Sequence, residues 1–328
     1  MEYGIQIANM EPSRFKDVAQ AAEALGYDLV CFPDHIVMEG PERSYDPRGK
    51  SYDTIVIAAM LAEATKKIRL GHLVLCNLFR HPAITAQSLM TLDHISGGRL
   101  LAGLGTGWTE TEFQMTGIPF PPIGERLKML DEALTCIRSL WTNERTTFSG
   151  QYYKFTDAIL WPKPIQQPHP PIIVGGGGNG LLRVAAKHAD YVNLIPPTGK
   201  KGRISMQNIK RMTNEVFREK TAFVRAEAKR NGRDPSHIKM SNVTFTVSLT
   251  DSREQTRQMA ERMGQIFGMD PDVILQSPTA LIGSDEECIA ELKRRAKDWG
   301  VSQFIFGSLG GTDEKQLRRL REKVLAHV

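Results

Sequence analysis

The feature of the sequence that most constrains the fold is a regular alternation of short apolar runs with longer amphipathic segments. Runs such as 3–8, 29–32 and 301–307 have the length of buried strands, and the segments between them show helical spacing. Strands joined by helices of this length must be parallel, because a parallel pair needs a long crossover connection. Roughly eight such units fit a closed barrel better than an open sheet. The sequence therefore predicts an α/β fold, a single (β/α)8 TIM-barrel domain over residues 1–328.

Three segments interrupt the alternation and are predicted to be insertions into the barrel. They lie near 36–52, 147–170 and 264–283. The second contains the pattern of a hairpin around Gly150. Elsewhere each run is interpreted as one continuous element. The longest of these predicted elements are a strand over 68–75, a helix over 206–231 and a strand over 238–249.

Composition argues against several classes of function. The formal net charge of +5, from 42 basic and 37 acidic residues, is a mild excess that suits an anionic small molecule better than a nucleic acid. The cysteines form no CxxC pair and the histidines show no metal-ligand spacing, so no metal site is expected. The chain shows neither a secretory leader nor an apolar run of about 18 residues, so we expect a cytoplasmic protein without membrane association.

In such a barrel the loops that follow the strands form the active face. One of them follows the apolar run 99–104 and carries glycines, Trp108, Glu110 and Glu112. Either acid, taken alone, is better explained as a solvated residue or as part of a first helical turn. Trp108 could cover the barrel core or stack on a flat ring. His35 follows the strand 29–32, where a structural histidine and an acid–base catalyst are equally consistent with the pattern.

A run of glycines, GGGGNG at 175–180, lies between a predicted strand and a predicted helix. Bare backbone N–H groups at a helix N-terminus bind anions, so the run predicts a phosphate site, with a plain tight turn as the alternative. A dinucleotide-binding fold would require an acid about 20 residues later, and that region contains Lys200 and Lys201 instead. These lysines and Arg203 form a basic run that is either a solvated loop or a contact for an anionic ligand.

Several longer motifs occur together and in a fixed order along the chain. They are the DH pair at 34–35, GHLVLCNLFRHP at 71–82, LDHISGGRLLAGLGTGW at 92–108, GERLKMLDEALTCIRSLW at 124–141, FSGQYY at 148–153, PKPIQQPHPPIIVGGGGN at 162–179, and ALIGSDEECIAELKRRAKDWGVSQFIF at 280–306. As a set they resemble the bacterial luciferase-like superfamily. Members of that superfamily are flavin- or deazaflavin-dependent (β/α)8 oxidoreductases.

The resemblance implies that the mouth of the barrel holds the cofactor. Leu73 and Val74 would form a bulge with a non-prolyl cis peptide behind the cofactor ring. His35 would lie near the reactive edge of the ring as the acid–base residue. Further contacts would come from the end of strand two, the loop after strand three and the phosphate cradle: Asp34, Asn77, Gly175, Gly176, Gly177 and Gly178.

The loop at Trp108 departs from the best-known deazaflavin sugar-phosphate dehydrogenases. In those enzymes the residue after GTG is a glutamate that acts as proton donor, whereas here it is Trp108. The sugar-phosphate reaction is therefore not carried over from the resemblance. Trp108 is interpreted as a catalytic-site residue that walls the substrate pocket, with Gly105 and Gly107 keeping that wall close to the ring. Glu110 and Glu112 take second rank.

The GTGW form resembles a branch of coenzyme F-420-dependent oxidoreductases. We expect hydride transfer between reduced F-420, an 8-hydroxy-5-deazaflavin, and a small organic substrate that the sequence does not identify. An FMN-dependent luciferase-like monooxygenase that uses reduced flavin and O2 is the alternative, and a non-catalytic flavin-binding protein is a third possibility. The family commonly dimerises through the helices after strands two and three, so we expect a homodimer.

Overall fold

A closed barrel of parallel strands forms the centre of the molecule. The computed structural model describes residues 1–37, 49–197, 206–307 and 313–328. The strands in these ranges are β1 (Glu2–Gln6), β2 (Leu29–Phe32), β3 (Arg69–His72), β4 (Leu75–Cys76), β5 (Leu100–Gly105), β6 (Thr146–Ser149), β7 (Lys154–Ala158), β8 (Ile172–Gly176), β9 (Tyr191–Leu194), β10 (Lys239–Thr244), β11 (Thr246–Leu249), β12 (Ala280–Gly283) and β13 (Val301–Gly307). The barrel order is β3-β2-β1-β13-β10-β9-β8-β5, and β5 pairs back to β3. The predicted (β/α)8 TIM barrel is confirmed.

Helices connect the strands and surround the barrel. They are α1 (Pro12–Ala24), α2 (Thr54–Ala64), α3 (Pro82–Ser96), α4 (Glu110–Thr116), α5 (Ile123–Thr142), α6 (Asn179–His188), α7 (Met206–Arg211), α8 (Asn214–Arg230), α9 (Arg253–Phe267), α10 (Pro271–Leu275), α11 (Asp285–Trp299) and α12 (Glu314–Arg319). The last helix continues as a π turn over Leu320–Val324 and a 3-10 turn over Leu325–His327.

Two apolar layers hold the barrel together. Alternate strand residues face inward, because successive side chains of a strand point to opposite sides. The inward-facing cluster contains Leu29, Cys31, Leu101, Ile173, Tyr191, Val243 and Ile305. The other strand residues pack outward against the helices in a second and larger cluster. The barrel is therefore filled in its middle, and only its ends are available for a ligand.

The predicted third strand, 68–75, is not continuous. It ends at His72, and the peptide bond between Leu73 and Val74 is cis. The chain then resumes as β4, which pairs with the last two residues of β5, Leu104 and Gly105. The cis peptide expected from the family resemblance is confirmed.

Two other predicted elements are divided in the structure. The helix predicted over 206–231 ends at Arg211, and a new helix begins at Asn214 because the Thr213 hydroxyl caps it through the amide of Val216. The strand predicted over 238–249 leaves the barrel after Thr244. Its second part, β11, pairs instead with β12 in a separate two-stranded sheet.

The hairpin predicted within the second insertion segment is present, with β6 and β7 antiparallel. The carboxylate of Glu132, a residue of α5, accepts hydrogen bonds at 2.8–3.0 Å from three consecutive amides of the hairpin turn, those of Gln151, Tyr152 and Tyr153. A Cβ at Gly150 would lie 2.3 Å from this carboxylate, which explains the glycine. Of the first insertion segment, 36–52, residues 38–48 lie outside the described ranges.

The third insertion segment, 264–283, contains the end of α9, then α10 and β12. A fully buried arginine of α11, Arg295, anchors it. The guanidinium donates to the carbonyl oxygens of Ser277, Pro278 and Ala280, the last at 2.6 Å. It also donates to Asn242 of β10 at 3.2 Å, so one side chain joins this segment to the barrel wall.

Candidate active site

The floor of the barrel mouth is built from Val74 and two glycines. A Cβ at Gly105 would lie 2.5 Å from Val74 Cγ2, and a Cβ at Gly175 would lie 3.4 Å from Val74 Cγ1. The absence of side chains at these two strand ends thus makes room for Val74, which follows the cis peptide. Leu73 is held from the first strand, since Gln6 donates a hydrogen bond to the Leu73 carbonyl at 2.9 Å.

His35 follows β2 at the same end of the barrel and contacts Trp108 of the loop after β5 and Glu112 of α4. Its Nδ1 is 3.0 Å from Oε2 of Glu112, and the Trp108 ring meets the His35 ring edge-on with centroids 5.6 Å apart. The His35 side chain is 16% exposed and the Glu112 side chain only 2%. The structure therefore brings together the two predicted catalytic residues, His35 and Trp108.

Glu112, which took second rank in the interpretation of the sequence, is in direct contact with His35. It belongs to the first turn of α4, as one interpretation allowed, but its carboxylate is buried and reaches back to the strand-two loop. Besides His35, it accepts hydrogen bonds from the amides of Ile36 at 2.7 Å and Val37 at 3.1 Å. Glu110 is exposed. Glu112 therefore differs from Glu110 in having two amide donors and the His35 ring around a buried carboxylate.

Asp34 is buried in an ion pair. Its carboxylate accepts two hydrogen bonds from Arg80, at 2.7 and 3.2 Å, and one from the amide of Cys76 at 2.9 Å. Arg80 also pairs with Asp53, the cap of α2. Burial disfavours the charged Arg80, but the two carboxylates outweigh it and raise its pKa. Asp34 thus joins the loops after β2 and β4, and its predicted contact with the cofactor stays a prediction.

Asn77 is buried at the end of β4 and contacts the hairpin. Its amide Nδ2 is 3.3 Å from the Tyr153 hydroxyl, and its backbone N–H donates to the Gly105 carbonyl at 3.0 Å. Tyr153 therefore reaches the barrel mouth from the second insertion segment. Tyr153 carries no sequence signal of this role, because its position depends on the fold of the hairpin.

The loop that carries Trp108 is clamped by Arg126 of α5. Arg126 Nη1 donates to the carbonyls of Thr106 at 3.3 Å and Gly107 at 2.5 Å, and its guanidinium stacks 3.9 Å from the Phe120 ring centroid. Gly107 has φ of +71°, and a Cβ there would lie 2.7 Å from Cys76 Sγ. Only glycine fits this position without displacing the buried thiol. Arg126 was also missed, because an arginine in the first turn of a helix carries no sequence signal of such a role.

The glycine run forms a cradle at the start of α6. Gly175 and Gly176 end β8, and Gly178 is the N-terminal cap residue of α6. A Cβ at Gly177 would lie 2.0 Å from the Ile195 carbonyl, whereas the space beside Gly178 is open. The backbone here is therefore bare on its open side, as an anion site requires.

A lysine from α8 reaches the same cradle. Lys220 Nζ donates to the Gly177 carbonyl at 2.5 Å and lies 3.5 Å from Asn179 Oδ1. Burial lowers its pKa. Lys220 was not identified from the sequence, since the long helix predicted there gave no indication of which face meets the cradle. The basic residues it did identify, Lys200, Lys201 and Arg203, lie outside the described residues.

Metal ligation is not indicated in the described part of the chain, where no group of three or more His, Cys, Asp or Glu side chains could hold an ion. The four cysteines are free and buried, and burial raises the pKa of Cys76 to about 12. Among the described helices, none has both the length and the apolar character needed to cross a membrane.

Comparison with known proteins agrees with this geometry. The family model described as luciferase-like monooxygenase matches residues 2–277. The chain is 35% identical to an F420-dependent glucose-6-phosphate dehydrogenase of Kineococcus radiotolerans, over 98% of this chain and 95% of the relative. It is 28% identical to an FMNH(2)-dependent dimethylsulfone monooxygenase of Pseudomonas putida, over 68% of this chain and 55% of that protein.

Among solved structures, an F420-dependent secondary alcohol dehydrogenase has the same fold, with a TM-score of 0.79, 21% identity, and coverage of 100% of this chain and 99% of that one. The F420-dependent tetrahydromethanopterin reductase of Methanopyrus kandleri superposes with a TM-score of 0.77 at 21% identity, covering 99% of each chain. Together with the family match, these findings show that the chain is an enzyme and belongs to the luciferase-like monooxygenase family.

Proposed function

We propose that this protein transfers a hydride between coenzyme F-420 and a small organic substrate. The observation that carries the proposal is the bare glycine cradle of 175–178 beside the Val74 floor. A phosphate can approach the open side of Gly178, while the Val74 side chain, seated against Gly105 and Gly175, offers an apolar surface to a flat ring. The full-length relatives named as F420-dependent support this cofactor.

Some residues of the chain would bind the cofactor, and another would transfer the proton. The backbone of Gly176, Gly177 and Gly178 would hold the phosphate, and Leu73 and Val74 would support the ring from behind. When bound, F-420 supplies the carbon that accepts or donates the hydride. His35 exchanges a proton with the substrate, and Trp108 covers the pocket beside it.

Lys220 provides a direct test of the cradle. The Lys220 ammonium lies near the N-terminus of α6, where the partial positive charge of the helix repels it. A bound phosphate would make the interaction of this ammonium with its surroundings attractive. We expect Lys220→Met to raise the Kd of F-420 about 10- to 100-fold, since a charge-assisted hydrogen bond contributes about 1.5–3 kcal/mol. Fluorescence titration of F-420 measures this. Lys229→Met, exposed on the same helix, is the control; equal affinities of the two variants would contradict the proposal.

The alternative is an FMN-dependent monooxygenase that uses reduced flavin and O2. The relative named as FMNH(2)-dependent favours it, and the same cradle would accept the FMN phosphate. Incubating the purified protein with F-420 and with FMN, followed by gel filtration, identifies the cofactor that it retains. Retention of F-420 without rapid O2 consumption supports the proposal. Rapid O2-dependent turnover with reduced FMN would establish the alternative.

Glucose 6-phosphate is the first alcohol to test, because it appears in the names of the relatives that match over nearly their full length. Trp108 stands where the resemblance places a proton-donating glutamate, so in this chain the proton must be handled by His35. Turnover of glucose 6-phosphate would identify the substrate. Its absence would direct the search to other alcohols and ketones.

We also propose that the protein is a cytoplasmic homodimer. Helices α2 and α3 carry large apolar side chains on their outer as well as their inner faces, which is typical of helices that are covered on both sides. Val56 is 66% exposed, Ile84 53% and Ile95 40%. The buried free cysteines are consistent with a reducing compartment.

The dimer is tested by placing a charge on this surface. We expect Val56→Glu to convert the dimer into a monomer, because a carboxylate cannot be buried there without a partner. Light scattering coupled to gel filtration measures the mass. Ile159→Glu, at a similarly exposed apolar residue just after the hairpin, should leave the mass unchanged. A wild-type monomer would refute the proposed dimer.

A further inference from the structure

We propose that Glu112 is a positioning residue that fixes the tautomer of His35, with the proton on Nδ1 and the free lone pair on Nε2. This inference rests on the proposed function for its catalytic meaning. The tautomer itself does not depend on the proposed function, because it can be measured without any cofactor. Trp108 stands where the resemblance places a glutamate. Glu112, four residues later on the first turn of α4, supplies an acid to the site instead.

The hydrogen bonds around Glu112 define the direction of each donor. Backbone N–H groups can only donate, and those of Ile36 and Val37 both point to Oε1, at 2.7 and 3.1 Å. The second oxygen, Oε2, faces Nδ1 of His35 at 3.0 Å. Two fixed donors at one oxygen stabilise a negative carboxylate, which then accepts a third hydrogen bond from Nδ1–H. Nε2 is left as the ring nitrogen that can receive a proton.

The surroundings of the pair make this interaction strong. The Glu112 side chain is only 2% exposed, so water does not compete for its oxygens. The Trp108 ring meets His35 edge-on at an interplanar angle of 86°, which restricts the imidazole from another side. When His35 takes up a proton, the buried carboxylate stabilises the resulting imidazolium. The same logic operates where a buried acid orients a catalytic histidine in hydrolases.

The proton transfer can be written for an alcohol substrate. The substrate loses a hydride from carbon to the cofactor and the hydroxyl proton to His35 Nε2, and its C–O single bond becomes C=O. The substrate is oxidised by two electrons and the cofactor is reduced by two. In the reverse direction, protonated Nε2 returns the proton to the oxygen of a ketone as the hydride adds to carbon.

A purely structural role is the competing explanation, because Glu112 also holds the amides of residues 36 and 37. The variant Glu112→Gln distinguishes the positioning role from the purely structural role. The amide oxygen must face the two backbone donors, so the amide nitrogen is turned toward His35 and donates to Nδ1. The variant keeps the backbone contacts and inverts the histidine tautomer. Glu110→Gln, exposed on the same turn, is the matched control.

The experiment uses the cofactor-free protein labelled with 15N in histidine. Two-bond 1H–15N correlation spectra distinguish the tautomers, and His35→Ala identifies the His35 signals. We expect Nδ1–H in the wild type and in Glu110→Gln, and Nε2–H in Glu112→Gln. With F-420 bound, Glu112→Gln should lower kcat by about 10²- to 10⁴-fold with KM and cofactor Kd within about twofold. Glu112→Asp should restore part of the rate.

The outcomes separate this inference from the proposed function. An Nε2–H tautomer in the wild type overturns the inference even if no variant folds. An unchanged tautomer in folded Glu112→Gln, or a change in KM alone, also overturns it and leaves only the structural role. A protein that inverts its tautomer but binds no F-420 retains the positioning role of Glu112 and loses the proposed function.

Discussion

Replacing His35 by alanine is expected to lower kcat of the F-420-dependent reaction by about 10²- to 10⁴-fold, the usual contribution of a positioned acid–base residue. The cofactor should still bind, because the cradle at Gly177 and Gly178 and the floor at Val74 are formed by other segments. The measurement is steady-state kinetics together with the Kd of F-420. A fall in kcat with an unchanged Kd would place His35 in the chemical step.

The control for this prediction is His237→Ala, because the His237 side chain is 80% exposed and lies just before β10, at the end of the barrel opposite the mouth. It should turn over at the wild-type rate. Full activity of His35→Ala with every substrate would remove His35 from the mechanism. Loss of cofactor binding in His35→Ala would instead assign the residue to the binding site.

The second large effect is expected on stability. Replacing Arg295 by methionine should lower the free energy of unfolding by about 3–5 kcal/mol, as breaking a buried ion pair does. Arg295 is completely buried, and burial lowers its pKa despite the nearby Glu291. Methionine fills the space but leaves the carbonyls of Ser277, Pro278 and Ala280 without their donor. Urea denaturation measures the change.

Arg294→Met is the matched control, since Arg294 precedes Arg295 on α11 and pairs with the same Glu291. The Arg294 side chain is 30% exposed, so its ion pair is screened by water and should contribute less than about 1 kcal/mol. Equal losses in the two variants would show that the ion pair with Glu291 matters and that the carbonyl contacts do not.

The sequence predicted the barrel because the barrel depends on a repeated local property. Each strand is a short apolar run that ends in glycine, proline or a polar residue, and the bounds of β2 and β13 agree with the prediction for that reason. The failure at β10 and β11 has the opposite cause. Strand-like residues continue past Thr244, and only pairing with β12, more than 30 residues later, takes the second half out of the barrel.

In the candidate site, too, local sequence pattern identified some residues and not others. The sequence identified His35, Trp108 and the glycine cradle, because strand ends and bare backbone can be read locally. Lys220 and Arg126 were not identified, since each reaches the site from a helix whose orientation is set by packing. Their roles depend on the carbonyls they meet, those of Gly177 and Gly107, which lie 43 and 19 residues earlier in the chain.

Glu112 illustrates the limit most clearly. The sequence Thr109-x-x-Glu112 has the spacing of a capping box, in which the glutamate would bond back to its own helix start. In the structure the Thr109 side chain makes no capping hydrogen bond, and the Glu112 carboxylate binds His35 and the amides after it. The sequence by itself determined the barrel, the glycine cradle and a histidine at its mouth, because these follow from local pattern. The tertiary structure alone decided which acid contacts that histidine. Closing the barrel brings the segments after β2 and β5 together, and Glu112 then meets His35 and the amides of the two residues after it.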